Sequence, residues 1–397
     1  MEYRRRIAYF ARSNARPPHK SFGIYDADRF AHIHIIGKTG TGKTTLLETL
    51  IRSDIAAGHG VALIDPHGDL ATRVIAAATK LRPDDLVVVD PSDPACPYGY
   101  NPLAGVSPTW VPLAASGLLE ALKKRWSDSW GVRMEHVLRN ALHALIAAGD
   151  ASLPDILRIG SDEAFRADVL TRVTNAQVRR FWETEYPEYT PSYQRDAFAP
   201  IQNKIGALLA DPRMERFFVT APIKLRFRRL MDEGKVLVVN LARGKLGEDS
   251  AGLLGAILMT AMSLAAFSRA DMLEENRRPF FLFIDEFHSY TTHSIADMIS
   301  ELRKFRVGLT LAHQHMGQLD ADVRETVLGN AGTRIVFRVG ALDAALLARE
   351  FAPHFKAEDL LHLPNRNIVL TLMIDGAPSP AFSAETVAPG DAISNAR

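Results

Sequence analysis

The chain has 397 residues, 47% of them apolar and 23% charged. That is enough to bury a full core and excludes a disordered or fibrous protein. Lys and Arg number 47 against 46 Asp and Glu, so there is no global basic field, and any nucleic-acid contact must be a local stripe or pore. Cys96 is the only cysteine, which excludes an intrachain disulfide framework and a Cys-rich zinc site and suits a reducing compartment.

The N-terminus, Met1-Glu2-Tyr3-Arg4-Arg5-Arg6, has the charge of a signal peptide, but Ile7–Arg16 is too short and polar to be its apolar segment. Short apolar runs then recur at Ala31–Ile36, Val61–Asp65, Leu86–Asp90, Val236–Leu241, Phe280–Asp285, Leu309–His313, Arg334–Val339 and Asn367–Ile374. Most are rich in Val and Ile and barely alternate, as strands covered on both faces do. Helical patterns separate several of them, at Thr44–Ala57, Leu70–Ala78, Ser250–Ser268, Ile295–Phe305 and Ala341–Phe351. This alternation predicts an α/β fold with a mainly parallel sheet.

Residues 108–230 show helical patterns and no convincing strand. The expected organisation is an N-terminal segment (1–30), an α/β nucleotide-binding domain (31–107 and 231–387), an inserted all-α domain (108–230) and a flexible tail (388–397). The longest uncharged run, Ala251–Phe267, has 17 residues, at the lower edge of a membrane span. It contains Gly252, Gly255, Thr260 and Ser263 and lies between two strands, so it is expected to be a helix buried against a sheet in a soluble protein.

The strongest motif is Gly37-Lys38-Thr39-Gly40-Thr41-Gly42-Lys43-Thr44, followed by Thr45. It satisfies G-x-x-x-x-G-K-[ST] between a strand and a helix, the context a phosphate-binding loop needs. Glycines let backbone N–H groups point at phosphate oxygens, and the helix N-terminus adds partial positive charge. Lys43 is expected to reach the β- and γ-phosphates of ATP, and Thr44 to ligate Mg²⁺.

Such a loop needs an acidic partner. Phe280–Ile284 leads into Asp285-Glu286, placing Asp285 as the metal ligand at a sheet edge and Glu286 as the base that polarises water. Leu309–His313 leads into Gln314, expected beside the γ-phosphate. The cationic stretch Arg303-Lys304-Phe305-Arg306 could supply an arginine to a neighbouring subunit's site. Arg303 is the preferred donor, with Arg306 and Arg334 as rivals; Arg334 and Arg338 are expected to point outward from one strand. Asp65 ends the second strand and reads best as a turn former. His59, His67, His288, His293, His313 and His315 lack tidy metal-ligand spacing. Trp110, Trp126, Trp130 and Trp182 are expected in the core of the helical insert.

Together these segments resemble the HerA–FtsK superfamily of ring-forming DNA-pumping ATPases, and most nearly the type IV coupling proteins of conjugation (the TraD/TraG group). The likeness rests on His34–Thr45, Gly60–Asp69, Ile284–Phe287, Arg303-Lys304, Ala312–Gln314 and Asn330–Arg334. It implies a RecA-like motor domain with an all-α domain, arranged as a hexameric ring. It places Arg303 at the arginine-finger position and Gln314 at the sensor position. The implied function is ATP-driven movement of single- or double-stranded DNA, as a coupling protein serving a relaxase and a secretion channel. The alternatives are a HerA-like translocase working with a nuclease, or a non-catalytic nucleotide-dependent scaffold. Coupling proteins usually carry an N-terminal membrane anchor. None is evident in this sequence, so the expected location is cytoplasmic, with docking on the inner face of the membrane in a coupling role.

Overall fold

The computed structural model describes residues 6–14, 17–127, 130–291 and 293–390, without the side chains of 293–295 and 297. The charges of Met1–Arg5, the His293 imidazole and most of the 388–397 tail lie outside the described residues. The described chain divides into two compact units. One comprises the residues up to Val88, Phe227–Ala242 and those from Ala265 onward; the other comprises Val89–Arg226 and Arg243–Leu264.

The first unit is built on an eleven-stranded sheet. Its strands are β1 (Ile7–Ser13), β2 (Ser21–Tyr25), β3 (Ile33–Ile36), β4 (Gly60–Asp65), β5 (Leu86–Val89), β8 (Val236–Asn240), β9 (Phe280–Ile284), β10 (Val307–His313), β11 (Thr333–Val336), β12 (Asn367–Thr371) and β15 (Phe382–Thr386). Two short pairs complete the numbering, β6 (Tyr98–Gly99) with β7 (Ile223–Lys224) and β13 (Met373–Ile374) with β14 (Ala377–Pro378). Across the sheet the order is β2-β1-β15-β12-β11-β3-β10-β9-β4-β8-β5. The run from β11 to β8 is parallel. The flank from β12 through β15 and β1 to β2 is antiparallel.

All eight expected strands are present. The antiparallel flank was not foreseen, and it draws residues 7–25 into the sheet rather than leaving them as a separate segment. Adjacent residues of β3 show why the parallel strands read as continuous apolar runs. Ile35 packs into a cluster with Leu46, Leu47, Leu50 and Leu63, while Ile36 joins Val339, Leu347, Phe351 and Leu360. Both faces of the strand are therefore covered, as a parallel sheet requires.

The second unit is helical, with Val111–Arg125, Val132–Ala148 and Pro191–Ala210 among its helices. Polar side chains start several of its segments. Asp162 accepts from the Phe165 N–H, Asn175 from Gln177 and Val178, and Thr190 from Tyr193, each satisfying an orphan donor of a first turn. Trp182 is core, with its indole N–H donated to the Asn140 carbonyl at 3.2 Å. Trp126 is half-buried and borders a cavity of about 590 Å³ with Lys204 and Leu253.

The unit is broader than the 108–230 insert expected, because Arg243–Leu264 groups with it. The apolar helix lies largely there. Glu248–Asp271 is long and apolar enough to cross a membrane, with mean hydropathy 1.8, yet 78% of its most apolar window is buried. Its hydroxyls turn back on the helix, Thr260 to the Ala256 carbonyl and Ser263 to that of Met259. Burial within the protein accounts for its composition.

Candidate nucleotide-binding site

The phosphate loop joins β3 to helix α1 (Lys43–Ala56). Two of its glycines have structural reasons. A Cβ on Gly37 would meet Phe337 Cβ at 2.5 Å, and Gly42 has φ +124, a conformation that side chains rarely adopt. Lys38, Thr39 and Gly40 are exposed, while Thr44 and Thr45 open α1 and are half-buried. The loop is braced by the Lys38 N–H on the Arg338 carbonyl (2.9 Å) and by the Thr41 hydroxyl on the Lys38 carbonyl (2.7 Å).

Lys43 is buried at 6% exposure. Its ammonium donates to the Gly37 carbonyl at 2.5 Å and the Lys38 carbonyl at 3.2 Å, so it sits at the mouth of the loop it would serve. Burial lowers its pKa, against the pull of Glu286 and Asp285. Those carboxylates arrive from the end of β9, two strands from β3 in the sheet.

Asp285 is 4% exposed. Burial raises its carboxyl to about 6, and the negative charges of Glu286 and Asp65 add to the effect. Asp65 at the end of β4 is committed elsewhere. It accepts from the His67 N–H (2.9 Å) and the Ala71 N–H (2.8 Å), fixing the turn into α2 (Asp69–Leu81), as a turn former should. Two buried carboxylates, Asp285 and Glu286, thus share the Lys43 ammonium, with the charge of Asp65 close to Asp285. A divalent cation would supply further positive charge there, and hard oxygen ligands suit Mg²⁺. Asp285 and Thr44 fit that ion by donor type.

Glu286 has φ +47 and ψ +48, a left-handed conformation uncommon outside Gly and Asn, and is 5% exposed. Such strain in a buried acid is a signature of function. Its Oε1 accepts from Gln314 Nε2 at 2.8 Å, and His288 Nδ1 lies 3.3 Å from Oε2. Gln318 closes the ring. Its Oε1 accepts from the Gln314 and His315 N–H groups, each at 3.1 Å, and its Nε2 lies 3.2 Å from His288 Nε2. Sequence reasoning singled out neither His288 nor Gln318 as a bracing residue. The only available signal was proximity, two residues after Glu286 and four after Gln314.

Directly behind this ring, His34 Nε2 and His313 Nε2 are 2.8 Å apart, tying β3 to β10. His313 Nδ1 lies 3.1 Å from the His315 carbonyl. Burial holds both imidazoles neutral, His34 at about 3 and His313 well below its ordinary value.

The three finger candidates differ. Arg306 is buried, with Nη1 on the Arg277 carbonyl at 3.1 Å. Arg334 is also buried rather than outward-facing, bonded to Glu350 (2.9 Å) and the Leu328 carbonyl (2.6 Å). Arg303 is exposed, on the short turn before β10, at the strand end opposite Gln314. No histidine–carboxylate zinc site appears among the described residues. The one cluster of suitable spacing, Asp26, Asp54 and His59, is filled by Arg29, which pairs with both Asp54 oxygens at 2.5 and 2.7 Å, and by Arg6 on Asp26.

Residues 24–353 match the family described as the type IV secretion-system coupling protein DNA-binding domain. Among solved structures, the chain is similar to the bacterial conjugative coupling protein TrwBdeltaN70 in its unbound monoclinic form, with TM-score 0.64, 16% identity and coverage of 92% of this chain and 87% of that one. The plasmid coupling protein TrwB in complex with a non-hydrolysable ATP analogue gives TM-score 0.64, 18% identity and coverage of 91% and 86%. VirB4 of Thermoanaerobacter pseudethanolicus gives 0.67, 12% identity and coverage of 97% of both chains. At these identities the likeness is one of fold. No curated protein matches the chain.

Proposed function

The chain belongs to the type IV secretion-system coupling protein DNA-binding domain family, and from that premise we propose that it is an ATP-hydrolysing motor that moves DNA toward a conjugative or type IV secretion channel. The observation that carries the reading is the buried, strained Glu286 held by Gln314 within the charge field of Lys43. A protein that only bound nucleotide would not need a base held in this way. TrwB has been solved with ADP and Mg²⁺, which supports the same ligands here.

In this mechanism the loop's N–H groups and Lys43 hold the phosphates of ATP. Asp285 and Thr44 would hold Mg²⁺, which would supply positive charge to the bound phosphates. Glu286 takes a proton from water as the water oxygen bonds to the γ-phosphorus and the bond to the β,γ-bridging oxygen breaks. Gln314, bonded to Glu286, senses the change and passes it to β10.

Arg303 serves the neighbouring subunit in this account. A seven-residue strand separates it from Gln314, roughly 20 Å at the rise of a β-strand. That is too far for its guanidinium to reach its own subunit's γ-phosphate. The active form is therefore an oligomer, a hexameric ring, whose DNA path repeats a few cations around a central pore. Relaxase and channel components are the partners of such a role.

The test is phosphate release by the full chain with and without single- and double-stranded DNA. DNA should stimulate turnover, with binding that weakens linearly on a log–log salt plot. Turnover indifferent to both forms of DNA would oppose the motor reading.

A further inference from the structure

We propose that Arg366 grips the nucleoside end of the bound nucleotide, from the flank of the phosphate loop opposite Glu286. The inference rests on the nucleotide-binding reading and assigns a residue that neither the motif nor the resemblance points to.

Three observations place Arg366. Its N–H donates to the Thr41 carbonyl inside the phosphate loop at 2.8 Å. A side chain built at Gly42 would meet Arg366 Cα at 3.6 Å and Cγ at 3.7 Å. Its own carbonyl is clamped from behind by the Thr386 N–H (2.8 Å) and hydroxyl (3.2 Å). The backbone is therefore fixed on both sides, against the loop and against β15.

Arg366 also has φ +68, where Gly or Asn would fit with less strain. The side chain is exposed, and no described residue engages its guanidinium. Nearby, Arg338 shows the contrasting case. Its guanidinium is spent on the Leu363 carbonyl (3.0 Å) and Asn365 Oδ1 (2.9 Å), holding the turn that presents Arg366. One arginine builds the turn, and the other stands exposed beside a phosphate loop with no described residue on its guanidinium. A strained, clamped backbone carrying an exposed cation that no described residue engages fits a ligand contact better than a fold contact.

Sheet order says which part of the ligand it meets. β3 feeds the loop; β10 and β9, which lead to Gln314 and Glu286, lie to one side of it. β11 and β12 lie to the other side, and Arg366 immediately precedes β12. A γ-phosphate directed at Glu286 leaves the nucleoside on the Arg366 flank. A planar guanidinium suits stacking on a base or donating to ribose oxygens.

The experiment measures binding of ADP and of inorganic tripolyphosphate, both with Mg²⁺, to the full chain and to Arg366→Gly and Arg366→Asn. Both substitutions tolerate the left-handed backbone, so thermal unfolding should hold or rise. ADP should bind roughly tenfold more weakly to both variants, the size of one hydrogen bond to a charged group, while tripolyphosphate affinity stays unchanged. Unchanged ADP affinity in both variants would overturn the inference. Equal losses for the two ligands would also overturn it, because they would put the effect on the phosphate loop and not on the nucleoside. A wild-type chain that bound neither ligand would sink the nucleotide-binding reading itself, and this inference with it.

Discussion

Gln314 Nε2 donates a 2.8 Å hydrogen bond to Glu286 Oε1, joining the end of β10 to the end of β9 at the acid that would activate water. Glu286→Gln keeps the shape but cannot accept a proton. It should bind ATP normally and lose roughly 10²–10⁴-fold in turnover. Gln314→Ala removes the tether and leaves the base, so its loss should be smaller, about tenfold. Phosphate release and nucleotide binding measured on both variants check this; near-normal turnover by Glu286→Gln would remove Glu286 from its role.

Asp285 gives a pH dependence with two opposite signs. Burial and two neighbouring carboxylates raise it from 3.8 to about 6. Protonated Asp is a poor Mg²⁺ ligand, so Mg²⁺-dependent nucleotide affinity should fall as pH drops through about 6. Stability runs the other way. Between pH 4 and 6 the folded chain holds a proton that the unfolded chain has released, so this group's contribution is full at low pH and is lost as pH rises through about 6. Asp285→Asn should raise the unfolding temperature at pH 7.5, by up to ~3 kcal/mol of stability, while weakening Mg²⁺-dependent binding. Thermal melts from pH 5 to 8 with and without Mg²⁺ show both effects.

The arginines separate by location. Arg303→Ala removes an exposed side chain and should leave unfolding unchanged while slowing turnover. Arg306→Ala and Arg334→Ala abandon buried carbonyl acceptors and should cost about 1–3 kcal/mol of stability. Arg303→Ala mixed with Lys43→Ala should recover activity that neither has alone, because some interfaces then pair an intact loop with an intact arginine. A mixture that stays inactive, while wild-type subunits co-assemble with both variants, would end the trans assignment.

The buried network of Arg29, Asp26 and Asp54 is a stability feature. Arg29 lies over the Phe281 ring at 3.7 Å and pairs with Asp54 and Asp26. Arg29→Ala strips the buried Asp54 carboxylate of its two-bonded partner, while Asp26 keeps Arg6 and His59, and should destabilise the fold by about 3–5 kcal/mol, read as a lower urea midpoint. If the cluster were a metal site, the loss would depend on added metal; no such dependence is expected.

The central sheet was readable in the sequence because its strands are apolar on both faces, as Ile35 and Ile36 show by packing into opposite clusters. The antiparallel flank was not, because β1 and β2 alternate with exposed polar residues such as Arg12 and Ser21 and carry no motif. That Lys43, Asp285, Glu286 and Gln314 lie near one another was readable from motif residues placed at strand ends. The placement of His288, Gln318 and Arg366 beside them was not, since it depends on loop geometry that no spacing encodes. Arg334 was misjudged as outward because strand alternation ignores the helix that supplies Glu350.

The central claim, that hydrolysis moves DNA, is tested most directly by displacement of a triplex-forming oligonucleotide from a duplex track. The wild-type chain should displace it only with hydrolysable ATP and Mg²⁺, and Glu286→Gln should not displace it at all. Wild-type protein that hydrolyses ATP on this duplex yet never displaces the oligonucleotide, or a Glu286→Gln variant that displaces it equally well, would contradict the account.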